Sequence, residues 1–446
     1  MRRAWQSWLY ALLCVVIAIC VAALSTHFAF TTDWSAGQRA TITPQNQALL
    51  RQLPGPIRVT SYARPGKLRA QTSLLVQRYR RFKPDLSLRF VDPDLDPIAT
   101  QAAGITANGE LIIAWHGRQQ RVRQIDEADF SDALVRLVRG GPKLVAFITG
   151  NGERSADGTG PADLGEFVKT IGMHGVRALP LNLADAAEVP RNVQLVVLAS
   201  PQAVLLPESV QKLADYVADG GNLLWLTGPG SDDLGLAPLA RVLGIRKLPG
   251  VLFDATAAAT GTRDPRLLVT TRYPRQTITD DFDINAVFPR TAALAAVAGA
   301  QWDAQPILQS GADSWNQIAA FDPAQASTVA FDANAGELKG PLTFGYALTR
   351  LSPSPVRNQQ RIVVIGSGAF LANAYLADAG NLAFGERVVN WLLGDTALAS
   401  LPPAAPDAIL KPSQLDIDVL SVGYLVALPI ILIAIGFAIA RRRRRR

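Results

Sequence analysis

The sequence predicts an α/β protein in which a smaller and then a larger α/β module lie between two apolar segments. Three observations lead there. Residues 144–149, 193–199, 222–227 and 361–365 are apolar almost throughout and alternate with helical patterns, as parallel strands covered on both faces do. Residues 40–140 alternate short β-rich runs with helically spaced apolar residues. Residues 4–32 and 419–440 contain no Asp, Glu, Lys or Arg. At a rise of about 1.5 Å per residue, either run is long enough to cross a ~30 Å hydrocarbon core as a helix.

In the first module, 57–62 is β-rich and follows the Pro54-Gly55-Pro56 turn, and 68–82 spaces Leu68, Leu74, Leu75, Tyr79 and Phe82 as a helix face. A second strand over 86–91 is stopped by Asp92-Pro93-Asp94, a short helix is expected over 98–103, and 110–115 with 118–125 forms a hairpin around His116-Gly117. A helix over 126–139 closes the module, with Asp126, Glu127 and Asp129 near its positive N-terminal end. The order βαβαββα is thioredoxin-like. No redox chemistry follows, because Cys-x-x-Cys is absent.

The second module begins after Gly140-Gly141-Pro142. The strand over 144–149 opens into a loop of Gly150, Asn151, Gly152, Glu153, Arg154 and Ser155, followed by a helix over 162–171. A strand over 193–199, a helix over 207–218, the Gly220-Gly221 turn and a strand over 222–227 come next. The pattern loosens between 250 and 355 and resumes with the strand over 361–365, the loop Gly366-Ser367-Gly368 and a helix over 381–393, which returns to the same sheet. Ligands of such sheets gather at the carboxyl ends of the strands. The Pro-rich stretch 401–412 reads as a semi-rigid spacer. The expected divisions are an anchor over 1–32, modules over 40–140 and 142–398, a spacer over 399–418, a second span over 419–440 and a tail over 441–446.

Charge supports this layout. Arg2 and Arg3 precede the first apolar run, and Arg441, Arg442, Arg443, Arg444, Arg445 and Arg446 follow the second, so these eight carry +8 of a net +7 and the chain between them sums to −1. The positive-inside rule places both termini in the cytoplasm of a two-pass inner-membrane protein, with the bulk of the chain periplasmic. The tail arginines then contact anionic lipid. Nucleic-acid binding is excluded as a reading, since the basic residues sit beside an apolar span without an aromatic-basic motif. Residues 51–139 hold 15 Lys or Arg against 9 Asp or Glu, while 140–418 hold 20 against 27. A basic module thus precedes an acidic one. Arg78, Arg80, Arg81 and Lys83 cluster at a helix end, either as a solvated face or as a surface for anionic headgroups. Both cysteines, Cys14 and Cys20, lie in the first apolar run, so neither a disulfide nor a thiol nucleophile is expected in the modules. A signal anchor is the expected form of that run; cleavage after Ala23-Leu24-Ser25 stays open.

Motifs for chemistry are sparse. No Gly-x4-Gly-Lys-Ser/Thr loop is present, so this chain is not expected to be the ATP-driven motor. The three histidines, His27, His116 and His174, form no His-Glu-x-x-His pattern, and Asp92, Asp94 and Asp96 alternate with other residues as in a solvated strand stop. No metal or cofactor is expected. Ser200 and Ser367 follow strands, where an α/β enzyme could present a hydroxyl, but neither lies in Gly-x-Ser-x-Gly. They read as turn residues. The stronger candidate for a ligand- or partner-facing element is Gly150, Asn151, Gly152, Glu153 and Arg154, because glycines at a strand end let backbone N–H groups approach an anion or another chain. Glu153 and Arg154 either bind or pair with each other.

Several segments, taken in order, resemble the auxiliary subunits of ABC-2-type transport systems, the GldG family named from gliding motility. These are the strand and loop from Phe147 to Arg154, Phe90-Val91-Asp92-Pro93-Asp94, the helix over 126–139, Gly340-Pro341, the segment 365–373, Val389-Asn390-Trp391-Leu392, and the terminal apolar run with its arginines. Asn151 stands where that family has His, and Gly368 and Ala369 replace an Asp-rich strand end. The resemblance implies a non-catalytic subunit working with a separate permease and ATPase, and a larger module with a class I amidotransferase-like, Rossmann-like parallel sheet. The alternative is a membrane-tethered envelope hydrolase or carbohydrate-binding protein.

Overall fold

The computed structural model describes residues 42–230, 233–255, 264–319, 330–354, 358–378 and 380–395, with Leu398 and Arg441. The two apolar runs, the spacer and Arg442 to Arg446 lie outside the described residues. Among the described residues, no helix is long and apolar enough to cross a membrane. Residues 43–404 form one compact unit.

The first module opens with α1 (Pro44–Arg51), which the sequence reading passed over although Thr43 and Pro44 signal it: the Thr43 side chain accepts from the Asn46 N–H and proline occupies the first turn. Then follow β1 (Ile57–Tyr62), α2 (Lys67–Arg80), β2 (Leu86–Val91), α3 (Pro97–Ala102), β3 (Leu111–Trp115), β4 (Arg118–Val122) and α4 (Glu127–Arg139). The order is the expected βαβαββα, with the hairpin's second strand ending at Val122. The sheet runs β2-β1-β3-β4, with β1 parallel to β2 and antiparallel to β3. Asp126 caps α4 by accepting from the Asp129 N–H, and Gly140 ends it in the left-handed region. Ile57 and Val59 are buried, as are Leu75, Val76 and Tyr79 of α2 and Phe130, Leu134 and Leu137 of α4. The Tyr79 and Phe130 rings lie 4.6 Å apart, centroid to centroid.

The second module is built on β5 (Lys143–Thr149), α5 (Gly165–Met173), β6 (Val176–Asn182), β7 (Leu195–Ala199), α6 (Pro207–Ala218), β8 (Leu223–Leu226) and α7 (Ala237–Leu243). Three antiparallel ribbons follow: β9 (Ile245–Lys247) with β13 (Leu294–Ala296), β10 (Val251–Asp254) with β15 (Ser314–Gln317), and β11 (Leu267–Thr270) with β12 (Ala286–Pro289). The chain then closes with β14 (Asp303–Gln309), β16 (Thr343–Leu351), β17 (Gln359–Ile365) and α8 (Asn381–Leu392). The main sheet has seven strands in the order β14-β16-β17-β8-β7-β5-β6.

The expected parallel sheet is present and is extended on one side by two further strands. β6, β5, β7, β8 and β17 are parallel, and β17 does return to it as predicted, with β16 antiparallel to β17 and β14 in turn antiparallel to β16. Side-chain alternation divides the core between its two faces. Val145, Phe147, Val197 and Val363 pack with Phe167 of α5 and with Phe384 and Val388 of α8, whereas Ala146, Ile148, Val196 and Val364 pack with Leu213 of α6 and Leu239 of α7. The layers are therefore helix, sheet, helix. The carboxyl ends of β5, β7, β8 and β17 open at one edge of this sandwich.

Candidate functional site

At those strand ends lies a cleft of about 930 Å³, lined by residues that include Arg154, Ser200, Trp225, Thr227, Arg290 and Ser367. Each comes from a segment that follows or ends a strand. The loop after β5 is folded down locally by its own glycines and polar groups. Gly150 has φ +112°, and a Cβ there would stand 2.9 Å from Asn182 Oδ1, so only glycine fits. The Asn151 carbonyl accepts from the N–H groups of Gln202 and Ala203 at 2.9 and 3.0 Å, tying the loop to the segment after β7.

Glu153 and Arg154 do not pair with each other, which corrects one of the two sequence readings. Glu153 turns back on the loop, its carboxylate accepting from the Asn151 backbone N–H at 2.7 Å and from Asn151 Nδ2 at 3.1 Å. Arg154 goes the other way. Its Nη1 donates to the Ala162 carbonyl at 2.6 Å, and its Nε is buried without a hydrogen-bond partner. Burial holds the Arg154 pKa below the ordinary arginine value; Asp163 opposes this, and the nearby Arg290 charge adds to it. Of the five loop residues singled out, Arg154 is the one that lines the cleft.

The two serines also line it, and both hydroxyls are engaged. Ser200 has φ +51° and its Oγ donates to the Thr227 carbonyl at 3.1 Å; Ser367 Oγ donates to the Pro289 carbonyl at 2.8 Å. A Cβ at Gly368 would approach Ser200 Oγ to 2.2 Å, so the glycine between the two strand ends is required for their close approach. Sequence reasoning missed the other cations of the cleft, Arg241, Arg246, Lys247 and Arg290. These come from α7, from β9 and from the turn after β12.

The remaining candidates lie elsewhere. Asp94 pairs with Arg64 at 2.8 Å, Asp92 lies 3.5 Å from Arg69, and Asp96 caps α3, so the acidic run is absorbed in local structure. Arg78 pairs with Glu127 and Lys83 with Asp85, while Arg80 and Arg81 are exposed. Among the described residues no group of three or more His, Cys, Asp or Glu could hold a metal ion. Of the tail, Arg441 is helical and exposed.

The family described as an ABC-type uncharacterized transport system matches residues 142–393, from the start of β5 through α8. Among solved structures, the chain is similar to an mmIFT52 N-terminal domain, with 17% identity over 56% of this chain and 97% of that one and a TM-score of 0.41. A putative ThuA-like protein from Bacteroides uniformis shares 11% identity over 57% of this chain and 92% of its own, with a TM-score of 0.32. Mitochondrial thioredoxin 3 from Saccharomyces cerevisiae, in its oxidized form, shares 14% identity over 22% of this chain and 97% of its own, with a TM-score of 0.17. No curated protein matches the chain.

Proposed function

Because the chain belongs to the ABC-type uncharacterized transport system family, an auxiliary family of ABC transport, we propose that it is the accessory subunit of an ABC-2-type exporter of the GldG-like kind. In this reading it is held in the inner membrane by the apolar runs at 4–32 and 419–440, with both termini cytoplasmic and residues 43–404 outside. It orients the permease, or passes conformational change from the permease and its separate ATPase to an envelope partner. The observation that carries the reading is the family match across the whole main sheet, residues 142–393.

The geometry supports a non-catalytic role. At the ends of β7 and β17, where an α/β enzyme would present a nucleophile, Ser200 and Ser367 instead donate to backbone carbonyls. One observation favours the alternative of a tethered envelope hydrolase: the positive φ of Ser200, since residues held in sparsely populated backbone regions cluster at functional sites. Co-expression of the tagged full chain with an ABC-2-type permease and its ATPase from the same genome distinguishes the two. Recovery of a stable complex containing both is expected, and a chain that purifies without either would sink the accessory-subunit reading.

A further inference from the structure

We propose that the cleft at the ends of β5, β7, β8 and β17 is a phosphate-recognition site, which holds the phosphoryl group of an organic phosphate between Arg154 and Arg290. The assignment stands on the cleft alone, so it neither falls with the transport reading nor carries it.

Charge balance comes first. Arg154, Arg241, Arg246 and Arg290 line the cleft, and among the described residues that line it the single carboxylate is that of Asp233. Arg154 and Arg290 arrive from different elements, the loop after β5 and the turn after β12, and lie close enough for the charge of one to depress the proton affinity of the other. Like charges brought together beside low-dielectric protein repel unless an anion sits between them. Asp163, whose charge reaches Arg154, accepts from the Gly160 N–H at 2.9 Å and is not among the residues that line the cleft. Asp264, whose charge reaches Arg290, is engaged by the Arg266 fork at 2.8 and 2.7 Å. The Arg290 guanidinium itself is exposed and makes no hydrogen bond or ion pair among the described residues.

Unsatisfied donors give the second, independent sign. Arg154 Nε and the indole Nε1 of Trp225 are both buried without an acceptor, and Trp225, only 7% exposed, lines the same cleft. Buried donors left unpaired are costly, so each such group calls for an account. A phosphoryl group offers acceptors in three directions, which suits guanidinium and indole N–H donors that line one cleft from separate elements. A planar carboxylate offers its two oxygens in one plane. A cleft of about 930 Å³ also leaves room for the organic group that carries the phosphate.

Isothermal titration of the purified full chain with glycerol 3-phosphate, inorganic pyrophosphate, citrate and short-chain phosphatidylglycerol micelles tests this. Saturable binding of a phosphate probe is expected, weakened about tenfold or more by Arg290→Gln and by a smaller factor by Trp225→Phe. Arg191→Gln, which removes a charge that is 94% exposed and outside the cleft, should change nothing. Binding of the soluble phosphates identifies a small solute, and binding of the micelles alone identifies a lipid headgroup; either supports the site. Arg290→Lys, which keeps the charge but loses the fork, gives a second reading should the glutamine variant fold poorly, and it too should weaken binding. The proposal is overturned if no phosphate probe binds, if citrate binds as tightly as the phosphates, or if Arg191→Gln and Arg290→Gln weaken binding equally.

Discussion

His174 Nδ1 lies 2.9 Å from Glu386 Oε1 on α8, while its Nε2 lies 3.3 Å from Asp132 Oδ1 on α4. Since α4 closes the small module and α8 covers the large sheet, one imidazole bridges the two. Arg139, the last residue of α4, reinforces it: Nη1 donates to the His174 carbonyl at 2.8 Å, Nη2 donates to Asn390 Oδ1, and Nε lies 3.1 Å from Asp395 Oδ2. This junction is held by charge as well as by shape, so it responds to protonation and to the loss of either partner.

Stability should fall between about pH 6.5 and pH 9. Burial alone would lower the His174 pKa, but the hydrogen bonds and charges of Asp132 and Glu386 outweigh it and raise the group to about 9. A folded pKa above the unfolded one near 6.5 means that the stabilisation is complete below 6.5 and disappears as pH rises through 9. The side chain retains 23% exposure, so on the order of 2 kcal/mol is expected rather than the full ~3 that the shift would imply. Urea midpoints measured at pH 6 and pH 9.5 should differ in the wild type, and His174→Gln should flatten that difference. An unchanged pH slope in the variant would rule out His174 as its source.

Asp395→Ala should be more damaging than a surface carboxylate loss. The Arg139 side chain is 1% exposed, burial already depresses its pKa, and removing one member of a buried pair leaves an uncompensated charge, at about 3 kcal/mol or more. Asp395→Asn, which keeps an acceptor, should cost less. Equal midpoints for the two variants would show that charge is unimportant at this junction.

The elements that were legible in the sequence are those bounded by turn chemistry. β1 follows Pro54-Gly55-Pro56, β2 stops at Asp92-Pro93-Asp94, and α6 begins with Pro207 and ends before Gly220-Gly221. Local signals fixed those limits. β6 and β14 escaped notice because each contains a proline, Pro180 or Pro306, and lies at an edge of the sheet, where burial is partial and the apolar run is broken. β16 lies between β14 and β17 and pairs antiparallel with both, and the chain between β14 and β16 is too long to read as a hairpin. The site divides likewise. Its position at strand ends follows from the parallel pattern, whereas Arg290 reaches it through tertiary folding of an aperiodic stretch and Arg241 from α7. The bridge through His174 joins three elements far apart in the chain and leaves no local trace.

Ser200→Ala and Ser367→Ala should leave transport per folded molecule unchanged. Each loses one buried hydrogen bond, costing about 1 kcal/mol, and Ser200→Ala keeps a side chain at φ +51°. Transport assayed in membranes containing equal amounts of variant protein checks this. A loss of transport with normal protein levels would revive the hydrolase reading.

Replacing Arg441 to Arg446 with glutamine should impair insertion or retention in the membrane. Each arginine near anionic headgroups contributes roughly 1 kcal/mol, and in the proposed topology together they would set the orientation of the second apolar run. Reporter fusions after Ala405 should read as periplasmic and fusions at the C-terminus as cytoplasmic. Normal insertion of the glutamine variant, combined with loss of binding to a soluble ATPase, would make the tail a docking site instead.

Glu153→Ala and Arg154→Ala should behave differently, although the two residues are neighbours in one loop. Glu153 serves the loop itself: its carboxylate holds the Asn151 N–H at 2.7 Å, so alanine should lower the unfolding free energy by about 1 kcal/mol and affect complex assembly only as far as the loop loosens. Arg154 faces the cleft and reaches the Ala162 carbonyl, so alanine should cost a comparable amount of stability. If the cleft is the working surface, it should also reduce transport beyond what that instability explains. Arg154→Lys separates the two contributions, because an ammonium can still donate to Ala162 but cannot present the guanidinium fork. Transport and co-purification that remain at wild-type levels in a stable Arg154→Lys protein would remove Arg154 from the working surface and leave the loop a structural turn.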